Sequence, residues 1–329
     1  MNEASDHDRT DPGTPPTARP GSGVDVATVL ELAASVDEPA VLATVLEARG
    51  SVPQVRGAML LVTGESAVGT VGGGAAEAKT LVACRAVLAG GRSTEVEIDL
   101  AGHPGEVRDG VCGGRMRIAI DRLDAPARAV FAEAATRIAS GVDVDLKATR
   151  GGAGGEVDWR IAAAGEAPAD AIRITGRPVV VVVGAGHCGL ALERLGRFVG
   201  RRMIVVDDRL DDPDFRTQVD PIVEAATSIP EAWSRLPDAV RPDVALVTRN
   251  FAQDVAALEA LRHRRTGRLG MMGSRRRVAT VLEALETAGW SPGEIAGIKS
   301  PIGLDIGGVT PEEIAVSIMA ELIGPNPAN

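Results

Sequence analysis

Residues Pro178–Gly189 read Pro-Val-Val-Val-Val-Val-Gly-Ala-Gly-His-Cys-Gly. Five consecutive valines are too apolar for an edge strand and require a strand buried on both faces of a parallel sheet. Gly184, Gly186 and Gly189 follow at the G-x-G-x-x-G spacing. In that spacing one glycine makes a tight turn, one lets the backbone approach a phosphate, and one lets helix and strand pack closely. The helix from His187 to Val199 then aims its unpaired N–H groups, with Cys188 in the turn, at an anion. Asp207 closes the next strand about 20 residues beyond the glycines, where a carboxylate can accept from ribose hydroxyls and repel a 2′-phosphate. Asp208 is an equal candidate for that role.

From Arg177 onward strand and helix alternate regularly. Strands are expected at Val179–Val183, Met203–Val206, Val244–Val247 and Arg268–Met271, with a helix at Ala252–Arg264. That alternation predicts a doubly wound sheet of Rossmann-like type. Its ligand would sit outside the carboxyl ends of the strands, where Gly184–Gly189, Thr248–Asp254 and Met272–Arg276 should converge. Ser274 and Arg275, with Arg276 beside them, could reach a phosphate or carboxylate there, or simply face solvent. Further on, Thr310, Pro311 and Glu313 form a T-x-x-E capping box, so Glu312 and Glu313 read as a helix start rather than as catalysts. The apolar stretch Ile314–Ile323 reads equally as a core helix or as the interface of an expected homo-oligomer.

The first half of the chain has a different rhythm. Residues 1–23 are rich in Pro, Asp, Thr and Gly without an apolar period and are expected to be a disordered tail. Residues 24–140 predict an α/β domain, with strands at Ala40–Glu47, Ala58–Val62, Ala67–Val71, Glu95–Leu100 and Arg115–Ile120 and helices at Val24–Ser35, Ala75–Leu88 and Ala125–Ser140. Residues 141–176 read as the end of that domain and a linker, and 177–325 as the second domain. Gly72, Gly73 and Gly74, between a strand and a helix, offer a second set of backbone donors, with Glu77 in the first helical turn and Arg49 and Arg56 nearby. A carboxylate in that turn is favoured by the helix dipole without any further role. Cys112, in Asp-Gly-Val-Cys-Gly-Gly, is the candidate reactive or metal-binding thiol, while Cys84 and Cys188 read as buried and inert.

Composition narrows the classes. In 329 residues the net charge is −10, aromatics make up 2% and tyrosine is absent, which argues against nucleic-acid binding and base stacking. The 3 cysteines form no CxxC pair and suit a reducing cytoplasm. The 4 histidines are scattered, so a conventional zinc site is not expected. No apolar stretch reaches the roughly 18 residues of a membrane span, and no charged-then-apolar leader opens the chain.

Several blocks together resemble the XdhC/CoxI family of xanthine dehydrogenase accessory proteins. They are Ala48-Arg-Gly-Ser-Val-Pro, Gly69-Thr-Val-Gly-Gly-Gly, Val111-Cys-Gly-Gly, Val183-Gly-Ala-Gly-His-Cys-Gly, Val205-Val-Asp-Asp-Arg, Gly270-Met-Met-Gly-Ser-Arg-Arg-Arg and Pro301-Ile-Gly-Leu-Asp-Ile-Gly-Gly-Val-Thr-Pro-Glu-Glu-Ile-Ala. The resemblance runs from about Val41 to Leu322. It implies a chaperone that binds the molybdenum cofactor (molybdopterin) between its two domains, aids sulfuration by a cysteine desulfurase, and delivers the cofactor to the large subunit of a xanthine dehydrogenase-type molybdoenzyme. On that reading Cys112 supplies soft ligation to the metal. Two positions depart from the family: Ala75 stands where many members carry a cysteine or bulkier residue, and Thr248-Arg-Asn-Phe replaces a Thr-His-Asp-His loop. The alternative from the same scaffold is an NAD-dependent oxidoreductase, with NAD on the glycine turn and His187 the nearest candidate for proton transfer.

Overall fold

The computed structural model describes residues 24–64, 66–100, 113–151, 156–163, 166 and 170–325. The expected tail at 1–23 and Cys112 lie outside them. The described chain forms two compact units: one runs to Ala135 and takes in Val144–Thr175, the other comprises Thr136–Asp143 and the residues from Gly176 onward.

In the first unit, helix α1 (Val26–Ser35) starts at Asp25, whose carboxylate accepts from the Thr28 N–H at 2.8 Å. Strands β1 (Val41–Arg49), β2 (Met59–Val62), β3 (Ala67–Gly69), β4 (Thr94–Asp99) and β5 (Arg115–Arg122) make an antiparallel sheet in the order β3-β2-β1-β5-β4. Val41, Ala43 and Val45 alternate toward one face and meet Leu60, Ile118 and Ile120 in a core closed by helix α2 (Gly74–Leu88). The register shifts between Val45 and Glu47, a bulge that precedes the Arg49–Pro53 turn. Helix α3 (Ala125–Ala139) follows. The stretch read as domain end and linker builds three further strands, β6 (Val144–Gly151), β7 (Glu156–Ile161) and β8 (Ile172–Ile174), paired antiparallel as β7-β6-β8. Trp159 of β7 meets Phe131 of α3 edge-on, with ring centroids 5.1 Å apart.

The second unit is the doubly wound sheet. Its strands are β9 (Val179–Val183), β10 (Arg202–Val206), β11 (Glu224–Ala226), β12 (Asp243–Leu246), β13 (Leu269–Met271) and β14 (Ile298–Lys299). All pair parallel, in the order β11-β10-β9-β12-β13-β14. Numbered by appearance, this is the 3-2-1-4-5-6 order of dinucleotide-binding sheets, with the order reversing between β9 and β12. The valine run is buried on both faces, as its composition demands. Val179, Val181 and Val183 pack toward helices α6 (Ile229–Ser234), α7 (Phe251–Leu261) and α8 (Arg275–Thr287). Val180 and Val182 pack toward α4 (His187–Phe198) and α10 (Pro311–Ile323). A fully buried valine contributes about 1.5 kcal/mol or more. The central strand alone is therefore a large part of what holds the unit together. Two short helices, α5 (Pro213–Arg216) and α9 (Pro292–Ala296), complete it.

Helix α10 starts at the anticipated capping box: Thr310 accepts from the Glu313 N–H at 3.2 Å, and Glu313 accepts from the Thr310 N–H at 3.0 Å. Its apolar face, Ala315, Ile318, Met319 and Leu322, is buried in the unit's own core. The core-helix reading therefore accounts for this stretch. Strands β11 and β14, of three and two residues, are additional to the expected ones.

Candidate functional site at the parallel sheet

The three glycines of the β9–α4 turn have three separate jobs. Gly184 has φ +118°, and a Cβ there would lie 2.7 Å from the Val247 carbonyl oxygen of the neighbouring strand end. At Gly189 a Cβ would fall 1.8 Å from the Gly184 carbonyl oxygen, so only glycine lets α4 approach the turn. Gly186 is different: its φ of −80° suits any residue and nothing lies within 4 Å of a Cβ. It leaves open space in front of the helix.

That space is lined by donors. The N–H of Gly184 is bonded to Val206 O at 2.8 Å and the N–H of Ala185 to Asp207 Oδ2 at 2.8 Å. The N–H groups of Gly186, His187, Cys188 and Gly189 have no acceptor among the described residues, and no side chain caps the helix. Together with the dipole of a 12-residue helix they form an anion cradle. The His187 side chain is exposed and Cys188 is half-buried. Burial, with a smaller contribution from Glu312, pushes the Cys188 thiol above its usual range. Burial alone pushes Cys84 up to about 11. Cys84 is buried as expected, whereas Cys188, expected to be buried, is only half-buried.

Asp207 does sit at the end of β10, but its carboxylate is committed to the protein. Oδ1 accepts from the Arg209 N–H at 3.0 Å and from Arg209 Nε at 2.9 Å. Oδ2 accepts from the Ala185 N–H and from Arg209 Nη2, at 2.8 and 2.9 Å. The Arg209 guanidinium lies 3.9 Å above the Phe215 ring, which holds the clamp in place. Burial of Asp207 favours the neutral acid, yet the Arg209 bonds and the two N–H donors outweigh it and hold the carboxyl well below the ordinary range. Asp207 thus fixes the glycine turn.

A group whose folded pKa is lowered contributes stability that is fully present above its unfolded value, about 3.9, and lost as pH falls through the folded one. Wild-type protein is therefore expected to lose stability below about pH 4, and Asp207→Asn to lose less over the same range. Denaturation midpoints at pH 5 and pH 3 measure this. Parallel losses in the two proteins would refute the role given to Asp207.

The loops after β9, β12 and β13 do converge, through residues other than those singled out. Asp254 of α7 is fully buried and accepts from Thr248 Oγ1 at 2.6 Å and from Arg277 Nε at 2.6 Å. Arg277 also donates to Thr248 Oγ1 at 2.6 Å and to the Thr248 carbonyl at 3.2 Å. This network ties β12, α7 and α8 together at the mouth of the sheet. Ser274 caps α8, accepting from the Arg277 N–H at 3.3 Å, while Arg275 and Arg276 face solvent. A signal for Arg277 was present: it stands four and eight residues before Val281 and Leu285, the buried positions of α8. Asp254 likewise precedes Ala257, Leu258 and Leu261 on the inner face of α7.

Beside the cradle, between α6 and α7, lies a cavity of about 270 Å³ whose apolar walls include Val183, Val206, Ile229, Ala256, Ala257 and Ala260. Gly184 lines it too, so cavity and cradle share a wall.

In the other unit, Gly72, Gly73 and Gly74 all have positive φ, at 130°, 69° and 53°. Their turn is closed by Glu77, whose Oε2 accepts from Thr70 Oγ1 at 2.6 Å, the Gly73 N–H at 3.2 Å and the Val71 N–H at 3.4 Å. Glu77 is thus the turn's own anion. Pro53 lies against Gly72, where a Cβ would come within 2.4 Å of its Cγ. Gly114 lies against the Arg49–Val52 turn, where a Cβ would come within 2.4 Å of Arg49 O. Three sequence-distant blocks meet here, including the two glycines that follow Cys112. Arg49 pairs with Glu47 at 3.1 Å, and Arg56 donates to Ala171 O at 2.9 Å.

A parallel sheet in this order, with an open anion cradle beside its switch point and an adjoining cavity, defines a Rossmann-type unit. The model of the XdhC Rossmann domain matches residues 180–322, and that of the XdhC and CoxI family matches residues 33–99. The chain belongs to the XdhC/CoxI family. It is 26% identical over 290 residues to the uncharacterized protein YqeB of Escherichia coli (strain K12), covering 87% of this chain and 43% of that protein. It is 29% identical over 157 residues to a probable xanthine dehydrogenase subunit of Bacillus subtilis (strain 168), covering 46% of this chain and 44% of that protein. The chain thus spans less than half the length of either curated relative. A crystal structure described as a xanthine dehydrogenase from Bacillus halodurans superposes with a TM-score of 0.69 at 23% identity, over 90% of this chain and 94% of that one, and shares its fold. No helix among the described residues is long and apolar enough to cross a membrane.

Proposed function

We propose that this protein is a maturation factor for a xanthine dehydrogenase-type molybdoenzyme: it binds the molybdenum cofactor, aids its sulfuration by a cysteine desulfurase, and hands it to the enzyme's large subunit. Family membership and the xanthine dehydrogenase names of two relatives favour this class of role. The observation that carries the binding step is the cradle at α4, where the N–H groups of Gly186, His187, Cys188 and Gly189 are free to take a phosphate. Molybdopterin fits such a cradle because it carries a phosphate. When bound it supplies molybdenum already held by dithiolene sulfur. Among the described residues no three His, Cys, Asp or Glu gather to hold a metal ion, so the protein's part at this site is to grip the organic end. Gly184 and Gly189 shape the turn, Asp207 pins it, and the helix dipole favours the anion. Cys112, beyond the described residues, is the thiol proposed for soft contact with the metal.

Gly186→Asp separates this reading from a structural role of the turn. The backbone there accepts any residue and the space is open, so the variant should fold with stability within about 0.5 kcal/mol of wild type. Its carboxylate would stand over the donors in place of a phosphate. Protein purified without oxygen from cells making the cofactor should carry molybdenum and pterin near one equivalent, and Gly186→Asp about a tenth of that or less. Wild type without either component, or equal loading of the two proteins, would rule the proposal out.

A further inference from the structure

The loop before α10 carries an inference that rests on the reading above and extends it to the hand-over step. Leu304-Asp-Ile-Gly-Gly-Val309 is neither part of the cradle nor packed into the core. Three of its six residues are large and apolar, and they stand in solvent: Leu304 is 49% exposed, Ile306 51% and Val309 81%. The backbone that presents them is fixed at both ends. The Ile302 N–H donates to the Met271 carbonyl at 3.0 Å, the Leu304 N–H to the Ser317 carbonyl at 3.1 Å, and the Val309 N–H to Glu313 Oε2 at 2.8 Å. Single exposed apolar residues are ordinary on a protein surface, whereas several held together on a pinned loop mark a place of contact.

This loop stands at the carboxyl end of the sheet, on the cradle's side. It departs from the end of β13 at Met271 and leads into the first turn of α10, where Glu312 meets Arg194 of α4 at 3.7 Å and lies near enough to Cys188 to act on its thiol. At the same end of the sheet, on its other face, Phe251 opens α7 and is 50% exposed. It follows Val247 and Thr248, whose backbone lies against Gly184. Arg275 and Arg276, at the start of α8 and a few residues past Met271, face solvent, as does the loop's own acid, Asp305. Large apolar side chains with arginine at their margin are the make-up of a protein interface.

We infer that Leu304, Ile306 and Val309, flanked by Phe251 at the same end of the sheet, form the docking surface for the cofactor-free large subunit of the client molybdoenzyme. Cargo held at the N-terminus of α4 can pass only to a protein seated over that end of the sheet, so the receiving side and the apolar loop share one face. A second copy of the chain suits this face less well. A two-fold dimer would set the patch against itself, bringing Arg275 and Arg276 of both copies together and closing the cradle on both sides. An acidic margin around the client's cofactor entrance would instead meet those arginines with opposite charge.

The test uses the full chain loaded with cofactor and a xanthine dehydrogenase-type large subunit of the same organism, made in cells that lack the cofactor. Wild type should bind that subunit in calorimetry and pass molybdenum to it. Ile306→Asp with Val309→Asp changes two exposed side chains, so the double variant should unfold at the same urea concentration as wild type and carry the same molybdenum and pterin. It should bind the subunit at least about tenfold more weakly and lose delivery in proportion. Phe198→Asp, at an 83% exposed side chain on the far end of α4, should leave loading, binding and delivery unchanged. Undiminished binding by the double variant, an equal loss in Phe198→Asp, or loaded wild type that binds no such subunit would overturn the surface while the cofactor reading stands. Loss of loading in the double variant would make the loop part of the cofactor site and overturn it too. A wild-type dimer that the double variant splits would assign the face to a second copy instead. Wild type without molybdenum and pterin would remove the reading on which the surface rests, a result visible before any subunit is added.

Discussion

Asp254→Ala is expected to destabilise the second unit by about 3 kcal/mol. The Asp254 side chain is wholly buried, and its partner Arg277 is 21% exposed. Removing the carboxylate leaves a mostly enclosed guanidinium and the Thr248 hydroxyl without their charged acceptor. Such an orphaned charge is what makes the breaking of a buried pair costly. Replacing both partners by apolar residues, Asp254→Leu with Arg277→Met, removes the orphan as well and should cost clearly less than the single change. Urea denaturation followed by a probe in this unit measures both. A loss below about 1 kcal/mol in Asp254→Ala would mean that solvent already screens the pair. A double variant as unstable as the single one would mean that the network's geometry, rather than its charge, matters. Because Arg277 also holds the Thr248 carbonyl, the variant should loosen the edge of the cavity beside the glycine turn as well.

Gly189→Ala should have an effect of similar size for a purely steric reason. Its Cβ would stand 1.8 Å from the Gly184 carbonyl oxygen and 3.0 Å from the carbonyl carbon, and both are backbone atoms of a pinned turn. Either α4 shifts outward or the turn opens, at a cost of about 3 kcal/mol. The cradle would be lost with it. Gly186→Ala, three residues earlier, meets nothing and should change stability by less than about 0.5 kcal/mol. Comparing the two by thermal or urea unfolding tests the division of labour among the glycines. Equal effects would overturn it.

The N-terminal unit shows how local signals can be right about elements and silent about assembly. The strands from Val41 to Arg122 lie within a few residues of where alternation places them. That they pair antiparallel as β3-β2-β1-β5-β4, bringing Gly114 and Pro53 beside the glycine turns, depends on contacts between residues far apart in the chain. Glu77 illustrates the same limit. The helix dipole explains why a carboxylate stands there, but only the folded turn shows that it answers Thr70, Val71 and Gly73.

By itself the sequence determined that a strand of five valines must be buried on both sides, that the turn after it must be glycine, and that the chain belongs to its family. Those properties follow from local sterics and from the apolar character of consecutive residues, which any fold must respect. Tertiary structure decided which acid pins the turn and which stays open: Asp207 and Asp208 are chemically identical neighbours, and only the position of Arg209, Ala185 and Arg249 around them tells the two apart. It decided as well what Arg277 meets: its place on the inner face of α8 is legible from its spacing to Val281 and Leu285, but only packing brings it to Asp254 and Thr248.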